Sequence, residues 1–239
     1  MIEKHLLKLK ARDDISPDEE AAIRGAVKEV IKVRADRVAV REGEQMTYST
    51  ILLSGIAARR KDLSDGRRQY TELHIPGDFT DLHSFTLKRL DHDIVALSDC
   101  SFAVVPHERL KEITERYPHL VRVYWFATSL DAAIHRAWEV SLGSRNAIGR
   151  MAHLFCEVYI RLELVGLTRG SSYDLPISQQ ELGEMLGMTP VHANRTLQQL
   201  RKQGILEFAG GLVTIHDMAA LKLTADFDPS YLYLERQRR

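Results

Sequence analysis

Residues Ile177–Ile215 read ISQQELGEMLGMTPVHANRTLQQLRKQGILEFAGGLVTI, and two helices, a sharp turn and a hairpin can be read from them in order. Ser178 followed by Glu181 is a capping box, so a helix opens there. Leu182, Met185 and Leu186 form its inward face. Gly183 occupies a helical position where glycine costs about 1 kcal/mol, which predicts a close neighbour. Gly187 ends the helix, where a left-handed residue is needed to turn sharply. Thr189-Pro190 then opens a second helix, with Thr189 as cap and Pro190 at the first position. Val191, Leu197 and Leu200 are expected on its buried face, with His192, Asn194, Arg195, Gln198 and Arg201 pointing elsewhere. Gly204 stops it. Ile205–Phe208 and Leu212–Ile215 are short strands around a Gly210-Gly211 turn.

Helix, glycine turn, helix and hairpin make a winged helix-turn-helix. An α-helix fills the major groove of DNA, and its N-terminal residues reach base edges. Thr189, His192, Asn194 and Arg195 are suited to hydrogen bonds with bases or phosphates. From Thr189 to Leu206 there are three basic residues, Arg195, Arg201 and Lys202, and no acid. The competing reading is a helical hairpin that packs internally or binds protein.

Upstream, polar Thr168–Pro176 reads as a domain boundary. Before it, a helix capped by Ser144 is expected to run to about Leu167. Pro118 opens a helix to about Leu142 in which Leu120, Ala127, Ile134 and Ser141 stand seven apart. Val123, Leu130 and Ala137 follow at a spacing of three, which makes a coiled-coil seam. Leu120, Val123, Ala127, Leu130, Ile134 and Ala137 are therefore the expected dimer seam, with the second apolar side of the helix (Val121, Tyr124, Trp125, Phe126, Trp138) left for the chain's own core; the competing reading is that the heptad is one buried face against that core. His107–Arg116 reads as a separate helix. From Val30 to Val105, short alternating runs such as Arg37–Val40, Thr50–Leu53 and Ile94–Leu97 lie between turn signals, Asp65-Gly66 among them. About eight strands at this spacing suit a jelly roll. Before them, Ile15–Glu29 reads as a helix with Ser16 as cap and Pro17 at its start. The fold class is α+β, divided as a β-roll over 1–117, a dimerisation helix over 118–143 and a winged helix-turn-helix domain over 144–239.

The chain has 239 residues, 33 basic and 33 acidic, so net charge is zero. That argues against a wholesale polyanion binder and leaves room for one small basic reading surface. No run approaches the ~20 apolar residues of a bilayer helix, and Met1–Lys10 lacks the apolar core of a signal peptide. Cys100 and Cys156 are too few for a disulfide framework, which points to a reducing cytoplasm. Both read as small buried hydrophobes. His74, His83 and His92, spaced by nine, raise the alternative of a cupin-like metalloenzyme. The close histidine pair followed by glutamate that such enzymes carry is missing, and loop or surface histidines are the simpler reading.

The segments Ile177–Gly183, Gly187–Thr189 and Asn194–Leu197, with Leu53-Ser54-Gly55, Ile75-Pro76-Gly77-Asp78-Phe79 and Ala147–Ala152, resemble in order and spacing the bacterial transcription regulators of the Crp–Fnr superfamily. The resemblance covers nearly the whole chain. It implies a homodimer with a cyclic-nucleotide-binding-like sensor domain ahead of the DNA-binding domain, an inverted-repeat operator in double-stranded DNA, and RNA polymerase as a further partner. It makes Arg195 the base-reading or phosphate-contacting arginine and puts Ser178 and Gln180 near phosphate. The predicted DNA-contacting set is Ser178, Gln180, Thr189, His192, Asn194, Arg195 and Arg201. At Pro190-Val191 the sequence departs from the family's best-known readers, which carry a polar or charged pair ending in glutamate, so its operator should differ. Nucleotide-binding members use a Gly-Glu pair for the ribose and an arginine-hydroxyl pair for the phosphate. Here those places fall at Gly77-Asp78 and about Leu90-Asp91, the expected effector pocket. An aspartate repels a cyclic phosphate and Leu90 offers no donor, so the expectation is a regulator without cyclic nucleotide, cofactor or metal. Cyclic-nucleotide, haem or redox response on the same fold are the alternatives.

Overall fold

The structure is a computed structural model that describes all residues, Met1–Arg239. The chain forms two compact units. One holds Met1–Arg60, Leu73–Ala133 and Tyr233–Arg239; the other holds Lys61–Glu72 and Ile134–Leu232. These limits differ from those expected. The long helix is shared between the units rather than forming a segment of its own.

The first unit opens with α1 (Glu3–Lys10), a short helix not expected from its alternating lysines and leucines. Ile2, just before the helix, and Leu6 within it reach the core and are 2% exposed. Helix α2 (Pro17–Gly25) begins as the sequence requires, with Ser16 and Glu19 closing a capping box. Seven strands follow: β1 (Glu29–Val33), β2 (Arg37–Val40), β3 (Tyr48–Ser54), β4 (Ala57–Asp62), β5 (Arg68–His74), β6 (Asp93–Ala96) and β7 (Cys100–Pro106). They make two sheets, ordered β1-β7-β3 and β2-β6-β4-β5. The strand count is one below the expected eight, and isolated bridges Gln45–Arg89 and Ile51–Phe79 lie outside the ladders. A one-turn helix, α3 (Ser84–Leu87), interrupts the roll. Helix α4 (His107–Arg116) has the bounds read from sequence, and α5 (Pro118–Ser144) runs two residues further than expected. Ile2, Leu6, Ile23, Ile51, Phe79, Leu110, Ile113, Leu120, Val123 and Tyr124 share one core cluster, so the start of α5 is held by burial against the roll and α1–α2.

That burial alters the expected dimer seam. Leu120, Val123, Leu130 and Ile134 are 0, 2, 9 and 4% exposed within the single chain, while Ala127 and Ala137 are half-buried. The heptad is real but its richer face covers the subunit's own core. The exposed stripe runs through Arg122, Trp125, Ser129, Ala132, Arg136 and Glu139, itself spaced by threes and fours, with Trp125 72% exposed.

In the second unit, α6 (Ala147–Leu164) is capped by Asn146, whose side chain accepts from the Gly149 N–H at 2.9 Å, and not by Ser144, which ends α5. Thr168–Pro176 is not the expected domain boundary but lies inside the second unit. It contains β8 (Thr168–Arg169) and β9 (Ser172–Asp174), which join β10 (Leu206–Ala209) and β11 (Leu212–Ile215) in a sheet ordered β10-β11-β9-β8. Tyr173 is fully buried and donates its hydroxyl to the Phe155 carbonyl at 3.0 Å, so the polar run hides an anchor. The buried carboxylate of Glu157 accepts from Trp138 Nε1 at 3.0 Å, Arg161 Nη1 at 2.9 Å and the Tyr231 hydroxyl at 2.8 Å. This ties the end of α5, α6 and the terminal 3-10 turn (Pro229–Leu232) together, and removing one partner of such a buried pair costs about 3–5 kcal/mol. Helices α7 (Gln179–Leu186), α8 (Pro190–Lys202) and α9 (Met218–Ala225) complete the unit.

Candidate nucleic-acid interface

Helix α7 starts at its capping box. Ser178 Oγ accepts from the Glu181 N–H at 3.1 Å, and Glu181 Oε2 accepts from the Ser178 N–H at 2.6 Å. Leu182, Met185 and Leu186 are buried, as their spacing predicts. Gly187 ends the helix in the left-handed region, at φ 62°, where glycine has no steric penalty. The close neighbour expected at Gly183 is backbone: a Cβ there would stand 2.7 Å from the Met188 carbonyl oxygen. That carbonyl belongs to the turn itself, so α7 and α8 approach as closely as they do because Gly183 lacks a side chain. Thr189 Oγ1 then accepts from the His192 N–H at 3.2 Å and starts α8, with Pro190 in its first turn.

On α8, Ala193, Thr196, Leu197 and Leu200 are buried. Val191, expected with Leu197 and Leu200, is instead 64% exposed. The six residues from Val191 to Leu197 turn the helix by about 600°, which leaves the two side chains about 120° apart. The outward face carries Val191, His192, Arg195, Gln198, Arg201 and Lys202, and the helix has no acid. Arg195 is exposed and makes no hydrogen bond or ion pair within the chain. Asn194 is half-buried, and its Nδ2 donates to Gln179 Oε1 at 2.9 Å, which fixes its amide against the start of α7. Arg201 faces the wing, 3.2 Å from Glu207 Oε1 on β10. Gln180 donates to Glu184 at 3.0 Å, and Ser178 is occupied by its cap. The structure thus groups Thr189, His192, Asn194 and Arg195 on the first turns of α8. Ser178, Gln180 and Arg201 lie beside them with partners already in the chain.

The expected effector residues do not converge. Gly77 and Asp78 line a cavity of about 60 Å³ together with His5, Phe79 and Val123. Asp78 accepts from the Ile75 N–H at 2.9 Å and pairs with Lys8. Leu90 is 2% exposed and packs with Val40, Met46 and Ile94, while the Asp91 side chain lies in solvent beside His92. The apolar side chain of Leu90 is drawn into a separate cluster, away from any site around Gly77.

Sequence reading missed the charges inside the roll. Arg59 is 3% exposed; its Nη2 donates to the Thr80 carbonyl at 3.0 Å and to Asp131 on α5 at 2.9 Å. Asp81 is fully buried, accepts from the Thr50 N–H at 2.6 Å, and has its carboxyl pushed up to about 7 by desolvation. Their neighbours are largely polar as well, Arg60-Lys61 after Arg59 and Thr80 before Asp81, so the local sequence signals neither their burial nor their partners.

His83 and His92 lie with ring centroids 5.4 Å apart, and His74 is buried near Asp78. No group of three or more potential metal ligands is formed. Cys100 and Cys156 are free and buried, and burial pushes their thiols up to about 11 and about 12. No helix is long and apolar enough to cross a membrane.

A family model described as the Crp-like helix-turn-helix domain matches residues 149–224, and one for the cyclic nucleotide-binding domain matches residues 30–117. The nitrogen fixation regulation protein FixK of Bradyrhizobium diazoefficiens is 30% identical over 176 residues, covering 73% of this chain and 72% of FixK. The chain belongs to the Crp/Fnr family of transcription regulators. This regulator is also 26% identical to the transcriptional activator FnrL of Cereibacter sphaeroides over 209 residues, 85% of this chain and 83% of FnrL. The solved structure of FixK2 from Bradyrhizobium japonicum superposes with a TM-score of 0.75 at 27% identity, covering 82% of this chain and 96% of that one. Its relatives are transcription regulators and not enzymes, which sets aside the metalloenzyme alternative. The α7–α8 pair is its DNA-binding helix-turn-helix.

Proposed function

We propose that this regulator works as a homodimer that reads an inverted-repeat operator with two copies of α8, and that its β-roll does not hold a cyclic nucleotide. The observation that carries the DNA reading is Arg195: exposed, unpaired, and on the first turns of a helix that bears no acid. Two recognition helices set one DNA turn apart, about 34–36 Å, meet one face of the duplex. Pairing is assigned to the exposed α5 stripe through Trp125, Ser129 and Ala132, where small residues let two helices approach around the tryptophan. RNA polymerase is the further partner that a regulator of this family engages.

The β-roll reading rests on charge. Arg59, the buried guanidinium of β4, is committed to Thr80 and Asp131, and the nearby Asp81 is acidic. A cyclic phosphate needs charge-assisted donors, and neither Leu90 nor Asp91 supplies one. Any other effector acts by binding two arrangements of the protein unequally. Selection of bound DNA from a random pool tests the main claim: a two-fold symmetric consensus supports it, and a pool with no enrichment or with an unsymmetric single site overturns it. Calorimetry with cyclic AMP and cyclic GMP should show no heat of binding, and micromolar affinity would overturn the second part.

A further inference from the structure

We infer that Val191 is a specificity-determining residue that reads the 5-methyl group of a thymine in each half-site. The inference rests on the proposed seating of α8 in DNA. Val191 is 64% exposed, on the first turn of a helix whose other outward side chains are polar or cationic. It contributes nothing to the core, which Ala193, Thr196, Leu197 and Leu200 form without it. Thr189 and Pro190 hold this turn, because the cap fixes the backbone entering it. The side chain of Val191 is therefore presented on a rigid backbone and not on a frayed end.

Base edges in the major groove offer one apolar group, the thymine methyl. The other bases present donors or acceptors there, with only a bare C–H of cytosine or purine between them. Valine has neither, so over cytosine, adenine or guanine it covers a polar atom and returns no bond. Attraction and penalty thus select the same base. Arg195 lies four residues along α8 on the same side, about 6 Å further along the axis. The thymine read by Val191 accordingly falls within one or two base steps of the base or phosphate met by Arg195.

The test begins with the operator that wild-type protein selects from a random pool. Each thymine is then replaced by deoxyuridine, which removes only the methyl, and affinity is measured by fluorescence anisotropy for wild type and for Val191→Ser. One symmetry-related pair of thymines should lower wild-type affinity about fourfold per half-site, about fifteenfold for both, as expected for one buried methyl each. Val191→Ser should show twofold or less at the same pair, with an unchanged melting curve because the site is exposed. Deoxyuridine that is neutral everywhere, or that costs both proteins equally, overturns the inference while leaving DNA binding intact. A pool that yields no operator overturns the DNA reading and this one with it.

Discussion

Replacing Gly183 by alanine tests the turn that sets α8. The new Cβ would stand 2.7 Å from the Met188 carbonyl oxygen and 3.5 Å from Pro190 N. The first contact is about 0.7 Å inside ordinary van der Waals distance, which begins at 3.4 Å. Met188 O is backbone, and the Met188 N–H closes the turn on the Gly183 carbonyl at 2.9 Å. Relief therefore moves the turn and weakens that bond. Alanine in place of glycine in a helix contributes about 1 kcal/mol of stability. Overpacking costs about 1–3 kcal/mol and a damaged turn bond about 1 kcal/mol. The net expectation is a loss of about 1–3 kcal/mol, a fall in Tm of roughly 3–10 °C. Gly25→Ala is the matched control. That residue ends α2, and an added Cβ there meets nothing within 4 Å. It should stabilise by about 0.4–1 kcal/mol. Thermal and urea melts followed by circular dichroism compare the two. A Gly183→Ala protein as stable as wild type would refute the tight-turn reasoning, and a gain matching that of Gly25→Ala would do so outright.

Arg195→Ala should weaken specific DNA binding by about 1–3 kcal/mol with no change in melting, since the side chain has no partner to lose; unchanged operator affinity would remove it from the interface. Trp125→Glu should give monomers in sedimentation equilibrium with stability within about 0.5 kcal/mol of wild type, whereas a charge at buried Leu130 should unfold the chain; a Trp125→Glu dimer would contradict the assigned stripe. Asp81 binds its proton more tightly when folded, with its carboxyl at about 7, so its contribution to stability is full below about pH 4 and lost as pH rises through 7. Buried His5, His107 and His153, pushed down to about 4, act in the opposite sense as pH falls from about 6.5. The informative quantity is thus the difference between wild type and Asp81→Asn, which should favour the variant by about 2–4 kcal/mol more at pH 8 than at pH 4; equal differences at both would show that Asp81 is not buried as described.

Local chemistry made the C-terminal half legible. The capping box at Ser178, the Gly187 turn, Thr189-Pro190 and the Gly210-Gly211 hairpin act within a few residues, so each could be placed from sequence. What failed depends on distant partners. Val191 looked apolar and therefore buried, but its angle on α8 leaves it no core to join. The α5 heptad gave the helix, but both of its apolar sides contribute to the core, Leu120 and Val123 from one and Tyr124 from the other, and spacing along the helix does not say which side is left uncovered. Thr168–Pro176 looked like a domain boundary, since two- and three-residue strands carry no periodicity. Arg59 with Asp131, and Asp78 with Lys8, are pairs formed across elements, and no spacing announces them.

The central claim is that two copies of α8 occupy successive major grooves on one face of a duplex. Dimethyl sulfate probing of guanine N7 on the selected operator measures this directly, because N7 lies in the major groove. Two protected patches about 10–11 base pairs apart, both lost with Arg195→Ala, are the predicted result. Protection in a single patch, or none at N7 despite tight binding, would contradict it.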